Sequence, residues 1–216
     1  MSKQKKLTIG ISLRIIENTD YDEYRDALSH DWIQLFNKLE INPLFIPNTI
    51  QNIESFLTDL RVDGLILSGG DNLGQMSTRD KTEQKILNFS CKNKIPLIGI
   101  CRGMQAINDF FGGSLETLHN SSHVKKNHMI SIENFFESQL ETKKIEVNSY
   151  HHNIIKTNLL GKDLRPFALA DDGTIEGFFH TKFPLYGVMW HPERNFDTNN
   201  ELMLRKIFLL KQISFE

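Results

Sequence analysis

Short apolar runs alternating with segments of helical periodicity constrain this chain more than any other feature of its sequence. Leu7–Leu13, Leu44–Ile46, Gly64–Leu67, Ile95–Ile100 and Leu185–Trp190 are too short for buried helices and too uniformly apolar for half-exposed strands. They read as strands covered on both faces, as in a parallel sheet. Between them, Tyr24, Ala27, Leu28, Trp32, Leu35, Phe36 and Leu39 recur at helical spacing. Ile53, Phe56, Leu57 and Leu60 mark a second helix. Asp80 and Glu83 have the spacing of a capping box ahead of Ile86, Leu87 and Cys91 on a third. Arg102–Phe111 reads as a fourth. The alternation predicts an α/β fold, a mostly parallel central sheet with helices on both faces. The second half has a different texture. Val124–Ile145 reads as hairpins and loops decorating the sheet, Asp171-Asp172-Gly173 as the turn of a hairpin between Arg165–Ala170 and Thr174–His180, and Leu202–Leu210 as a closing helix. With no repeat, low-complexity tract or linker, residues 1–216 are expected to form one domain.

Charge and composition remove several functions. The 25 Lys and Arg nearly cancel 27 Asp and Glu, which argues against a basic surface for nucleic acid. The only cysteines are Cys91 and Cys101, so no disulfide framework is expected. No apolar run approaches the ~20 residues of a membrane helix. The basic start, Met1–Lys6, followed by Leu7–Leu13, resembles a signal peptide superficially, but Arg14 cuts the apolar stretch short and no small-residue cleavage site follows. A first strand and a cytoplasmic location are the expectation.

The chemistry concentrates in two places. Ile95–Ile100 runs into Gly99-x-Cys101-x-Gly103 and then a helix, the strand–turn–helix context of a nucleophile elbow with Cys in place of Ser. The sharp turn strains the nucleophile, and side chains two positions either side would collide, hence the glycines. Cys101 would sit at a helix N-terminus, where free N–H groups favour thiolate, with the Arg102 N–H placed to donate to an oxyanion. The competing reading is a buried cysteine in a tight turn. A nucleophilic cysteine needs a base with an orienting partner. His191-Pro-Glu193 follows the last buried strand, and residues two apart in an extended chain share a face, so the carboxylate can fix the imidazole tautomer. Alone, His-Pro-Glu would be a solvated loop; with the elbow it becomes a candidate base.

These segments, with Leu65-Ile-Leu-Ser-Gly-Gly70, Arg79-Asp80-x-x-Glu83, Gly112-Gly-Ser-Leu115 and Val147-Asn-Ser-Tyr-His151, resemble the class I glutamine amidotransferase superfamily, in its γ-glutamyl hydrolase-like branch. The resemblance implies a flavodoxin-like three-layer fold with short β-hairpin additions and a Cys101–His191–Glu193 triad that hydrolyses a γ-glutamyl amide through a thioester. It also implies oxyanion donors at Gly70 and Arg102, and a glutamyl pocket at Gly69, Gln105, Tyr150 and His151. The expected partner is a small γ-glutamyl substrate, with no cofactor, metal, nucleic acid or membrane. Arg79-Asp80 is typical of the branch, and capping plus an internal ion pair accounts for it equally well. His119, His123 and His128 lack carboxylate or cysteine companions at ligand spacing and read as surface or loop histidines. Lys125 and Lys126 beside them are candidates for a diphosphate, against a solvated basic loop. Two positions depart from the branch pattern, the short loop Asp71-Asn-Leu-Gly-Gln-Met76 and Asn153, where Gln is often found. Three other readings compete: a glutaminase subunit feeding a separate synthetase, a catalytically dead module on the same fold, and a cysteine peptidase.

Overall fold

The apolar runs become strands at the centre of a nine-stranded sheet. The computed structural model describes residues 6–118, 124–132 and 144–209. In chain order the elements are β1 (Thr8–Ser12), β2 (Arg14–Asn18), β3 (Glu23–Ala27), α1 (His30–Leu39), β4 (Asn42–Ile46), α2 (Ile53–Asp59), β5 (Gly64–Leu67), α3 (Ser77–Asn93), β6 (Leu97–Ile100), α4 (Arg102–Phe110), β7 (Glu116–Thr117), β8 (Val124–Ile132), β9 (Lys144–Tyr150), β10 (Asn153–Ile154), β11 (Leu164–Ala170), β12 (Ile175–His180), β13 (Leu185–Val188) and α5 (Thr198–Leu209).

The sheet order is β4-β1-β5-β6-β13-β12-β11-β8-β9. The first five strands are parallel, and the other four continue the sheet antiparallel. Pro43 is accommodated because β4 lies at the edge. Successive strand residues face opposite sides. A Cβ on Gly64 would run into Phe208 of α5, and one on Gly103 of α4 into Leu67, so these two helices cover opposite faces. The helix α3 packs between α2 and α4, and α4 lies across β5, β6 and β13. This is the expected α/β architecture.

Three local expectations are corrected. Tyr24, Ala27 and Leu28 lie outside α1: Glu23–Ala27 pairs antiparallel with Arg14–Asn18, and α1 begins only after Ser29, whose side chain accepts from the Asp31 N–H. The helical spacing there was fortuitous, since an exposed hairpin needs no buried stripe. Asp80 and Glu83 form no capping box, because α3 starts at Ser77 and both carboxylates bind arginines instead. The strands β8 and β9 are not decoration but the far edge of the main sheet, where buried Ile130, Ile132, Ile145 and Val147 join its core.

The parallel register sets up a functional edge. Leu67 pairs with Gly99, and Val188 with Ile100, so β5, β6 and β13 end side by side. The segments leaving them begin at Ser68, Cys101 and Met189 and emerge at one carboxyl edge, where open α/β sheets place their ligands. The last of these segments is held by α5: the buried Trp190 Nε1 donates to Asn200 Oδ1 at 2.9 Å, and Asn200 Nδ2 donates to Asn195 O at 2.8 Å. Asn200→Ala leaves the indole N–H buried without an acceptor and is expected to cost about 1–3 kcal/mol in urea unfolding; a change below ~0.5 kcal/mol, the range of ordinary surface substitutions, would contradict this anchor.

Candidate active site

Cys101 sits at the head of α4 with φ 50° and ψ −102°, outside the conformations an L-residue favours. Its N–H donates to Val188 O at 2.8 Å, pinning the turn to β13. The flanking glycines have the steric cause inferred from sequence. A Cβ on Gly99 would overlap the Gly103 carbonyl carbon, and one on Gly103 would overlap Leu67 O. Strand and helix approach so closely at the elbow that only hydrogen fits. The other cysteine, Cys91, is half-buried, and burial pushes its thiol up to about 11, so it stays protonated at neutral pH.

The segment after β13 brings His191 to this cysteine. Its Nδ1 lies 2.7 Å from Glu193 Oε1, both side chains are buried, and the imidazole and the Cys101 side chain flank the same point beside Gly69. Burial by itself would lower the imidazole pKa, but hydrogen bonds and charge from Cys101 and Glu193 outweigh it and raise it from 6.5 to about 9. Asn148 of β9, which the sequence reading did not single out, clamps this histidine's backbone. Its Oδ1 accepts from His191 N at 2.8 Å, and its Nδ2 donates to His191 O at 2.9 Å. Two residues on, Tyr150 meets the imidazole edge-on at 5.7 Å between centroids and carries the Arg194 guanidinium 4.3 Å over its own ring.

The other sequence candidates assemble around this pair. A Cβ on Gly69 would lie 2.8 Å from His191 Cε1 and 3.7 Å from Cys101 Cβ, so the loop after β5 runs against both side chains. Gly70 follows at φ +130°, a conformation open chiefly to glycine. Gln105 is buried one turn into α4, where its Nε2 donates to a weak acceptor, Met189 Sδ at 3.8 Å. His151 is buried, with Nδ1 3.1 Å from Asn153 O and Nε2 3.5 Å from Glu176 Oε1. The two departures from the branch pattern touch each other: Asn153 Nδ2 donates to Asn72 Oδ1 at 3.1 Å, joining the loop after Gly70 to the chain beyond His151.

His128 is not a surface histidine. It projects from β8, with Nε2 3.5 Å from the second oxygen of the buried Glu176. Lys125 and Lys126 are exposed on the same strand rather than in a loop. His119 and His123 lie outside the described residues. Among the described residues no group of three or more histidines, cysteines and carboxylates is placed to hold a metal ion, and no helix is long and apolar enough to cross a membrane.

Beneath the elbow lies an ion network. The buried Glu83 carboxylate accepts from Arg79 Nε at 3.0 Å, from Ser12 Oγ of β1 at 2.8 Å and from Arg102 Nη1, while Arg102 Nη2 donates to Asp80. Both arginines are buried. The four-residue spacing of Arg79 and Glu83 was the visible signal for their pair; nothing near Arg102 in the sequence pointed to Glu83.

A match to the Peptidase C26 family model spans residues 8–193, from β1 through His191 and Glu193. The chain belongs to the Peptidase C26 family. It is accordingly a hydrolase of amide C–N bonds. It is 37% identical over 209 residues to a γ-glutamyl-CDP-amidate hydrolase of Campylobacter jejuni, covering 94% of this chain and 98% of that protein. It is 31% identical to the glutamine-hydrolyzing GMP synthase subunit of Methanobrevibacter smithii, covering 85% and 87%. A solved structure from Thermoplasma acidophilum, described as a GMP synthase subunit, shares its fold with a TM-score of 0.74 at 22% identity over 97% and 96% of the two chains.

The Glu176 cluster titrates in a defined window. Burial would raise this carboxyl, but His128 and His151 outweigh it and bring it from 4.5 down to about 2. Its contribution to stability is therefore present above pH 4.5 and lost as pH falls toward 2. His128, whose pKa Glu176 raises against the effect of burial, contributes below its ordinary 6.5 and loses that contribution at higher pH. The difference in Tm between wild type and Glu176→Gln is expected to be widest between those two ordinary values and to close toward pH 2. A difference independent of pH would contradict the charge account.

Proposed function

We propose that this protein hydrolyses the γ-amide of a γ-glutamyl conjugate to L-glutamate and the free amine or amidate, through a thioester on Cys101. The observation that carries the reading is the convergence, beside Gly69, of Cys101 and a buried His191 that is itself held by Glu193. The Cys101 thiolate attacks the amide carbon. Negative charge on the carbonyl oxygen is taken by the Gly70 and Arg102 N–H groups. His191 gives its proton to the leaving nitrogen as the C–N bond breaks, then takes one from the water that opens the thioester. Gly69, Gln105, Tyr150 and His151 line the glutamyl pocket, and the weak Met189 contact leaves the Gln105 amide available to a stronger acceptor. The name of the Campylobacter relative supports a nucleotide amidate as the leaving group, with γ-glutamyl-CDP-amidate giving cytidine diphosphoramidate; a role in capsule phosphoramidate synthesis is part of the proposal.

A second reading, a glutaminase subunit that passes ammonia to a separate synthetase, is favoured by the likeness to the Methanobrevibacter GMP synthase protein. Glutamate release separates the two. The lone chain, without metal or nucleotide activator, is expected to release glutamate from at least one member of a panel of γ-glutamyl amines, peptides, folates and nucleotide conjugates, and only poorly from free glutamine. Cys101→Ala should remove turnover by roughly 10⁴–10⁶ in kcat with the fold intact, and Cys91→Ala should leave it unchanged. Glutamine hydrolysis that requires an added synthetase, with no conjugate cleaved, would favour the second reading.

The charge state of His191 sets the alkaline limb. Its proton is held up to about pH 9, so the single-turnover rate of amine release should fall as pH rises through that value. A limb centred on the ordinary histidine value would contradict the thiolate–imidazolium pairing.

A further inference from the structure

Arg79 is fully buried, and only its Nε is used by Glu83. Its Nη2 reaches the loop after β5 instead, with Ser68 O at 2.8 Å, Ser68 Oγ at 3.1 Å and Gly69 O at 3.0 Å. The Gly69 carbonyl belongs to the same peptide unit as the Gly70 N–H. No peptide bond among the described residues is cis, and in a trans unit C=O and N–H point to opposite sides. A cation on this carbonyl therefore turns the N–H away from Arg79, on a loop whose other side meets His191 and Cys101. Polarising the carbonyl also makes that N–H a stronger donor. A unit turned over would present its carbonyl oxygen where negative charge develops, and two successive glycines offer little resistance to turning. The guanidinium also accounts for Gly70, since a Cβ there would lie 2.9 Å from Arg79 Nη1.

We infer that Arg79 is the positioning residue of the oxyanion hole, gripping the Gly69 carbonyl so that the Gly70 N–H faces the reacting carbonyl. Through Glu83 the same arginine is tied to Arg102, whose N–H is the second donor, so one buried carboxylate sets the spacing of both. The inference rests on the thioester reading above. It assigns the chain its own means of keeping the hole formed with no partner bound.

The test compares two reagents on Cys101. Iodoacetamide alkylates a thiolate without building an oxyanion. The chloroketone analogue that keeps its ketone at the position of the glutamine amide carbon, L-2-amino-5-oxo-6-chlorohexanoate, reacts through a tetrahedral adduct whose oxygen needs the hole. In Arg79→Lys, chloroketone inactivation is expected to slow about tenfold or more, short of the roughly 10²–10³ lost when an oxyanion donor is deleted. Iodoacetamide labelling, and its blocking by L-glutamate, should stay within about twofold of wild type, as expected for an intact thiolate and pocket. Chloroketone and iodoacetamide rates that fall together, or a chloroketone rate that does not change, would overturn the inference. Should the variant not fold, a crystal structure of the wild-type chloroketone adduct decides the matter. Gly70 N bonded to the adduct oxygen, with Arg79 on Gly69 O, supports the inference, and a turned-over peptide overturns it. A wild-type protein that the chloroketone labels no faster than iodoacetamide would remove the γ-glutamyl reading and this inference together. Normal wild-type labelling with an unaffected variant removes only the inference.

Discussion

The Glu83 carboxylate, buried between Arg79 and Arg102, is the interaction on which the rest of this architecture depends. An isolated charge at that depth is prohibitive, and it is tolerated because two guanidinium groups and the Ser12 hydroxyl surround it. Those partners come from α3, α4 and β1, so one anion draws three elements together beneath the strand ends. Ser12 carries the connection on: its Oγ accepts from Ser68 N at 3.0 Å, and its carbonyl accepts from Ser68 Oγ at 2.7 Å, which docks the loop after β5 onto β1. Removing one member would leave the other charges buried and uncompensated, a cost of about 3–5 kcal/mol in comparable sites.

Above this foundation the chain holds Cys101 in a strained conformation. A cysteine at φ 50° and ψ −102° is unfavourable by itself, and such strain persists only where the surroundings over-determine it. Here they do. The Cys101 N–H is bound to β13, Gly99 and Gly103 let strand and helix close on each other, and buried Met104 and Ile107 anchor α4 in the core.

The antiparallel half of the sheet serves the same site from the other side. The strand β9 delivers Asn148 to the His191 backbone and Tyr150 to its ring, and the next residue, His151, is held between Asn153 O and Glu176. Glu176 lies on β12 beside β13, and its carbonyl accepts from Met189 N at 2.8 Å, two residues before the histidine. The strand β9 thus fixes the orientation of His191, a link between Asn148 and His191 that no local pattern in the sequence expressed.

Much of this protein was legible in its sequence because the causes are local. Uniformly apolar runs of strand length specify buried parallel strands. Glycines two residues either side of Cys101 report a steric collision, and Glu193 two residues after His191 reports a shared face. Where the cause was non-local the sequence misled or said nothing. Tyr24 kept helical spacing with α1 in what became an exposed hairpin strand, because no burial tests the pattern there. Asp80 and Glu83 had capping spacing but were claimed by arginines, one of them from another helix. Asn148 at His191 and Asn153 on Asn72 join residues far apart in the chain, and Arg79 reaches the Gly69 carbonyl from the next helix, so only the assembled sheet and its loops bring these segments together. The candidate groups Cys101, His191 and Glu193 stand out by local pattern. Their orientation is set by hydrogen bonds across the fold, whose partners are chosen only when the sheet is assembled.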